Sequence, residues 1–256
     1  MRRRRGARRR SEDRLTSRRF LTAHWRDLLI LSYEADPTLL ARHVPPGTEL
    51  DSHDGRLYVS VVGFRFLHTR VLGVPIPGHR NFDELNLRFY VRRETAGEVR
   101  RGVVFIREVV PRRAVAALAR AVYNEPYVTL PMRSRVTGSP SSVEFAWFAG
   151  RRWHRVAARA GGPGAIPAAG SHEEFITEHH WGYTRQRDGG TIEYRVEHPA
   201  WKVWSAAGLE IEADFRLLYD PALAAILERP VSALVADGSA VTVCQPRRLP
   251  RAMAAA

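Results

Sequence analysis

What most constrains this chain is a succession of short strand-like runs divided by turn residues, with little helical periodicity between them. Trp25 to Tyr33 is a run of this kind, with Leu28 to Leu31 continuous inside it. Leu57 to Leu67, Asn81 to Arg93 and Arg100 to Val110 follow, rich in β-branched and aromatic residues. Ser134 to Gly150 contains a further strand. Trp181 to Gln186 and Thr191 to Glu197 flank Asp188-Gly189-Gly190, a hairpin signal. Val231 to Val243 closes the series around an Asp237-Gly238 turn, and the Gly-, Ala- and Pro-rich stretch Ala158 to Gly170 reads as a loop. Helices are few and short. Asp36-Pro37 and Asp220-Pro221 each pair an N-cap with proline at the first helical position. Ser171 and Glu174 form a capping box. A helix from Pro111 carries Val115, Leu118 and Val122 at i, i+3, i+7 spacing. This pattern predicts an α+β domain on a large, mostly antiparallel sheet or β-barrel with a few short helices.

The net charge of +13 resembles a nucleic-acid signal until it is located. Residues 1–19 hold ten arginines against Glu12 and Asp13, a net +8, so the rest of the chain carries only +5. The excess belongs to an Arg-rich tail expected to be disordered, since a like-charged block with few apolar residues cannot collapse. The tail implies counterion-driven adhesion to polyanions and no specific nucleic-acid partner. The folded domain is expected over 20–250, with a disordered C-terminus at 251–256. Ser17-Arg18-Arg19-Phe20-Leu21 resembles a twin-arginine signal, but His24, Arg26 and Asp27 interrupt the apolar segment such a signal needs. No apolar run approaches the roughly 18 residues of a membrane-spanning helix. Cys244 is the single cysteine, which precludes an internal disulfide and fits a reducing, cytoplasmic setting.

In the Asn81–Arg93 strand, Leu85, Leu87, Phe89 and Val91 share one face, and Glu84, Asn86, Arg88 and Tyr90 share the other. That polar row is either a solvated sheet face or the wall of a cavity. In the latter case Glu84 serves as acid or base and Arg88 as an anion clamp. In Val103 to Val110 both faces are apolar, so Arg107 or Glu108 is buried and needs a partner, for example Arg107 with Glu84. The ten histidines are scattered, and Glu178-His179-His180 does not fit a zinc helix signature, so no metal site is predicted. No phosphate-binding glycine loop, dinucleotide fingerprint or Gly-x-Ser-x-Gly elbow is present, and no cofactor is expected.

Several phrases spread along the chain bear on kinship. Phe20 to Trp25, Val44 to Asp51, His79 to Glu84, Glu174 to His179, Trp181-Gly182-Tyr183, Glu197-His198-Pro199 and Ala236 to Ser239 resemble the YqjF-like family of uncharacterised bacterial proteins. That family in turn resembles the acetoacetate decarboxylase-like superfamily. Tyr33 to Asp36, Phe82-Asp83-Glu84 and Arg107-Glu108 before Pro111-Arg112-Arg113 carry the second likeness. It implies a β-barrel around a small-molecule cavity with an active-site glutamate at Glu84, and it allows a homo-oligomer. It also implies a Schiff-base lysine, and here the sequence departs. Arg112 and Arg113 stand where the decarboxylase has two lysines, and a guanidinium cannot condense with a ketone. The only lysine is Lys202, between aromatic residues.

Two functions follow from these readings. One is a lysine-independent site for a small organic acid or carbonyl compound, with Glu84 as acid or base and Arg107 and Arg88 on a carboxylate. Glu108 would position Arg107, and Asn86 or Tyr90 would add a hydrogen bond. The other is a non-catalytic binding or regulatory protein with a structural ion pair in the same place.

Overall fold

The structure is a computed structural model, and it describes residues 18–95, 97–138 and 142–250. Most of the Arg-rich segment and residues 251–256 lie outside the described residues. Arg19, expected in the tail, opens the first strand instead and pairs with Cys244, and the Arg18 carbonyl just before it accepts from Gln245 N.

The strands, in chain order, are β1 (Arg19–Glu34), β2 (Glu49–Leu50), β3 (Tyr58–Val71), β4 (Val74–Pro75), β5 (Phe82–Thr95), β6 (Glu98–Val110), β7 (Tyr127–Thr129) and β8 (Met132–Thr137). They continue with β9 (Ser142–Ala149), β10 (Arg152–Ala165), β11 (Trp181–Arg185), β12 (Thr191–Glu197), β13 (Val203–Glu212), β14 (Ser232–Cys244) and β15 (Arg247–Arg248). The α-helices are α1 (Pro37–Ala41), α2 (Arg113–Tyr123), α3 (His172–Thr177) and α4 (Pro221–Ile226). The caps read from sequence all form. Asp36 accepts from Thr38 N, Ser171 from Glu174 N, and Asp220 from Ala222 N and Leu223 N. Glu174 returns its carboxylate to Gly170 N.

Seven strands close on themselves in the order β1-β3-β5-β6-β11-β12-β14, and β14 pairs again with β1. All neighbours in this ring are antiparallel except β6 and β11, which run parallel. A second arm, β13-β10-β9-β8, leaves the ring from the first half of β14. The ring strands are therefore covered on both faces. Leu29, Leu31, Val61, Leu85, Leu87 and Phe89 meet the second arm through Phe145, Trp147 and Val156. Leu28, Ile30, Val62, Phe64, Phe82 and Val103 pack on the opposite face. Double coverage explains why these strands read as continuous apolar runs.

Two sequence expectations are corrected. The segment Ala158–Gly170 is not a loop throughout, because β10 extends to Ala165 and pairs with β13 across a register shift between Gly161 and Ala165. The Trp204 ring occupies the space a Cβ on Gly164 would need, so the small residues are there for close packing. Asp237-Gly238 is not a turn but a kink within β14. Gly238 has φ +72°, and a Cβ there would lie 2.0 Å from the Trp25 carbonyl oxygen.

Ring closure at β11 and β12 carries a buried ion-pair hub. Glu193, with no solvent exposure, accepts from Arg93 (3.3 Å), Arg100 (2.8 Å) and Arg247 Nε (2.6 Å). Arg100 also lies over the Trp181 ring at 4.1 Å.

Candidate functional site

The ring encloses a cavity of about 130 Å³. That is close to the size of voids known to hold a ligand of about six heavy atoms. Its apolar wall is aromatic, formed by Trp25, Phe64, Phe66, Phe82, Phe105 and Trp201. Its polar wall draws on several segments. Glu84, Asn86 and Arg88 descend from alternate positions of β5, Glu108 comes from β6, and Glu125 and Tyr127 follow α2. His179, just after α3, and His198, after β12, also line it.

The alternation of β5 places its polar row here, and a bulge in β6 decides the rest. Leu87 pairs with Arg107, but Arg88 pairs with Phe105, so Ile106 is the extra residue. Phe105 and Glu108 face the cavity. Arg107 turns to the other face, beside Tyr219. The expectation that Arg107 pairs with Glu84 or holds a carboxylate in the cavity is therefore corrected. Tyr90 shares the β5 polar face but does not line the cavity; its hydroxyl is engaged with Ser60 Oγ at 2.7 Å.

Glu84 is 2% exposed. Its two oxygens accept from Asn86 Nδ2 (3.0 Å) and the Tyr127 hydroxyl (2.9 Å). Burial outweighs those hydrogen bonds and pushes its carboxyl up to about 7. Glu108 is raised well above the usual carboxylate range, by burial and by the neighbouring acids Glu125 and Glu84. The Tyr127 hydroxyl lies between Glu84 and Glu108, and its one proton serves only one of them at a time. Glu125 is also pushed up to about 7, mainly by burial, although Thr184 and Tyr194 both donate to its Oε1. Arg88 donates from one terminal nitrogen to the Ile176 carbonyl at 3.0 Å, and its Nε has no partner among the described residues. His179 lies 3.6 Å from Asp51, yet burial holds it down to about 4, so it is a neutral imidazole with both ring nitrogens unpartnered. Removing the Tyr127 donor favours the neutral carboxyl, so Tyr127→Phe should raise the Glu84 pKa further, read by carboxyl ¹³C titration.

No lysine reaches the cavity. Lys202 is exposed and lies over Trp204 at 5.2 Å. Arg112 and Arg113 are exposed at the start of α2. Among the described residues no group of three His, Cys, Asp or Glu side chains could hold a metal ion, and no helix is long and apolar enough to cross a membrane.

Residues 22–240 match the DUF2071 family, described as an uncharacterized conserved protein. The chain belongs to the DUF2071 family. It is 32% identical over 115 residues to the uncharacterized protein YqjF of Bacillus subtilis (strain 168), a match spanning 44% of this chain and 46% of that one. The aligned part is thus less than half the length of that relative. Acetoacetate decarboxylase from Legionella pneumophila has a similar fold, with TM-score 0.63 and 14% identity over 91% of this chain and 88% of that one. An acetoacetate decarboxylase-like enzyme from Sphingomonas wittichii RW1 gives TM-score 0.60 and 14% identity over 92% and 94%. The enduracididine biosynthesis enzyme MppR, solved with pyruvate, gives TM-score 0.61 and 13% identity, covering 91% of each chain. The fold is acetoacetate decarboxylase-like, and the expected barrel is a closed ring of strands with an added arm.

Sequence reasoning singled out Glu84, Asn86, Arg88 and Glu108, and the fold gathers these four at one cavity. It did not find Glu125, Tyr127 or His179. Glu125 sits in a three-residue link after α2, beside Asn124 with φ +56°. An acid between a left-handed cap and Pro126 was the available signal. His179 was weighed only as a metal ligand, and its burial follows from α3 packing beside Tyr90.

Proposed function

We propose that the cavity binds a small organic acid or carbonyl compound and moves a proton on it without a Schiff base. The observation that carries this is the pairing, in one enclosed space, of Arg88 with an unpartnered Nε and Glu84 with a carboxyl raised to near neutral. Arg88 binds the ligand carboxylate, where a guanidinium makes strong charge-assisted hydrogen bonds. Glu84, ionised, takes a proton from the carbon beside a carbonyl, and the electron pair moves to the carbonyl oxygen. Glu108, kept protonated by burial and its acidic neighbours, donates a hydrogen bond to that oxygen. Asn86 holds Glu84 in place. The aromatic wall excludes water and selects a small apolar skeleton. The absence of lysine from the cavity wall and the arginines at 112 and 113 argue against Schiff-base decarboxylation. The single, buried, unpaired cysteine supports a cytoplasmic setting.

The test is exchange of α-protons for deuterium, followed by ¹H NMR on short keto acids in heavy water. Wild-type protein should accelerate exchange, and Glu84→Gln should reduce the rate by roughly 100-fold or more, the scale of a lost general base. Exchange that survives Glu84→Gln unchanged removes Glu84 from the chemistry.

A further inference from the structure

Glu125 is the acid that the proposed proton transfer leaves without a task. It is 4% exposed and lines the cavity. The Thr184 and Tyr194 hydroxyls both donate to Oε1, which fixes the carboxyl orientation. Its Oε2 is buried with no hydrogen-bond partner among the described residues. The two donors offset only part of the burial that raises its carboxyl to about 7, so near neutrality it stands poised between forms. Once ionised, a buried, half-satisfied carboxylate needs a positive or N–H-bearing partner. Among the described residues no basic side chain pairs with Glu125, although Arg88, His179 and His198 line the same cavity. The titratable groups interacting with Glu125 include Glu84, Glu108, Tyr123 and Tyr194, all acids or phenols. The metal-ion alternative is disfavoured because no three ligating side chains converge among the described residues. Meanwhile aromatic faces make up much of the remaining wall, a surface that accepts organic cations.

We infer that the ligand carries a protonated amine as well as its carboxylate, with the amine on Glu125 Oε2 and the carboxylate on Arg88. The substrate class is then a short amino-substituted acid or carbonyl acid rather than a plain organic acid. This rests on the proposed reading of Arg88 and the cavity, and it adds a specificity determinant that the reading does not require. The pH dependence follows from charge. An ammonium group favours ionised Glu125, so binding releases a proton near neutrality and tightens from pH 6 to 8. A plain acid places another negative charge near the three carboxyls and gains nothing from the same change.

The experiment is calorimetric titration of the full chain with matched pairs: propanoate and 3-aminopropanoate, butyrate and 4-aminobutyrate, pentanoate and 5-aminopentanoate, with 4-hydroxybutyrate as a neutral donor. At least one amino acid should bind ten-fold or more tightly than its plain partner at pH 7.5. Glu125→Gln should remove that preference and leave plain-acid binding in place. Should Glu125→Gln fail to fold, wild-type titrations in buffers of different ionisation enthalpy count the protons directly, and release with the amine but not the plain acid is the expected result. Plain acids that bind through Arg88 with no gain from the amine overturn this inference alone, as does equal binding of 4-hydroxybutyrate. Failure of every compound in both series to bind overturns the reading beneath it.

Discussion

At pH 8 the Glu84→Gln protein should be more stable to urea than the wild type, by on the order of 3 kcal/mol, and the gain should vanish by about pH 4. Burial raises the folded pKa of Glu84 from 4.5 to about 7. The native state therefore keeps a proton that the unfolded chain releases. For a raised carboxyl this favours folding only while the proton is present. The contribution is full below the unfolded value and is lost as pH rises through the folded value. Glutamine stays neutral throughout. Its oxygen still accepts from Asn86, and its nitrogen can donate to the Tyr127 oxygen, so no buried group is orphaned. Comparing variant with wild type at each pH cancels opposing titrations such as that of His179, whose folded pKa is lowered to about 4. Glu108→Gln should behave in the same direction, because burial and its acidic neighbours raise its carboxyl as well. Such gains mark residues kept for chemistry at a cost to stability. A Glu84→Gln protein less stable than the wild type at pH 8 would instead assign Glu84 a structural role.

The Glu193 hub should respond in the opposite sense. Glu193→Ala should cost about 3–5 kcal/mol, the range for removing one partner of a buried ion pair. Three guanidiniums converge on this one carboxylate, from β5, β6 and the short β15. Deleting the acid takes the shared carboxylate from Arg93 and Arg100, both largely buried, and leaves Arg100 only the exposed Glu98. The loss falls where β11 and β12 close the ring, so the melting temperature should drop by roughly 6–20 °C. The penalty should persist in 1 M salt, because screening acts weakly on buried charges. Scanning calorimetry with and without salt measures it. A loss under 1 kcal/mol would make the hub an ordinary surface network.

Much of this architecture was legible because double-sided burial leaves a strong signature. The runs around Leu28–Leu31 and Val103–Val110 are apolar on both faces since the ring has protein on both sides. The β5 row was legible for the opposite reason: a strict two-residue alternation with polar residues on a single face. Arg107 was misplaced because alternation fails at a bulge, and the Ile106 bulge inverts the phase that carries Arg107. Bulges depend on the partner strand, which one strand's sequence does not reveal. The same limit hid Glu125 and His179, which reach the cavity from connections after α2 and α3. The glycine-rich end of β10 looked like a loop because its purpose, admitting Trp204, lies on another strand.

We propose that Arg88 holds the ligand carboxylate inside the ring. This is tested most directly by titrating the full chain with short keto acids and carboxylates at pH 7, beside Arg88→Met. Methionine keeps much of the buried bulk and removes the guanidinium. Loss of a charge-assisted contact worth about 1.5–3 kcal/mol corresponds to roughly 10- to 150-fold weaker binding. The wild type should bind saturably, Arg88→Met should lose affinity by that factor, and Arg107→Met should bind as the wild type does. Equal binding by wild type and Arg88→Met would contradict it.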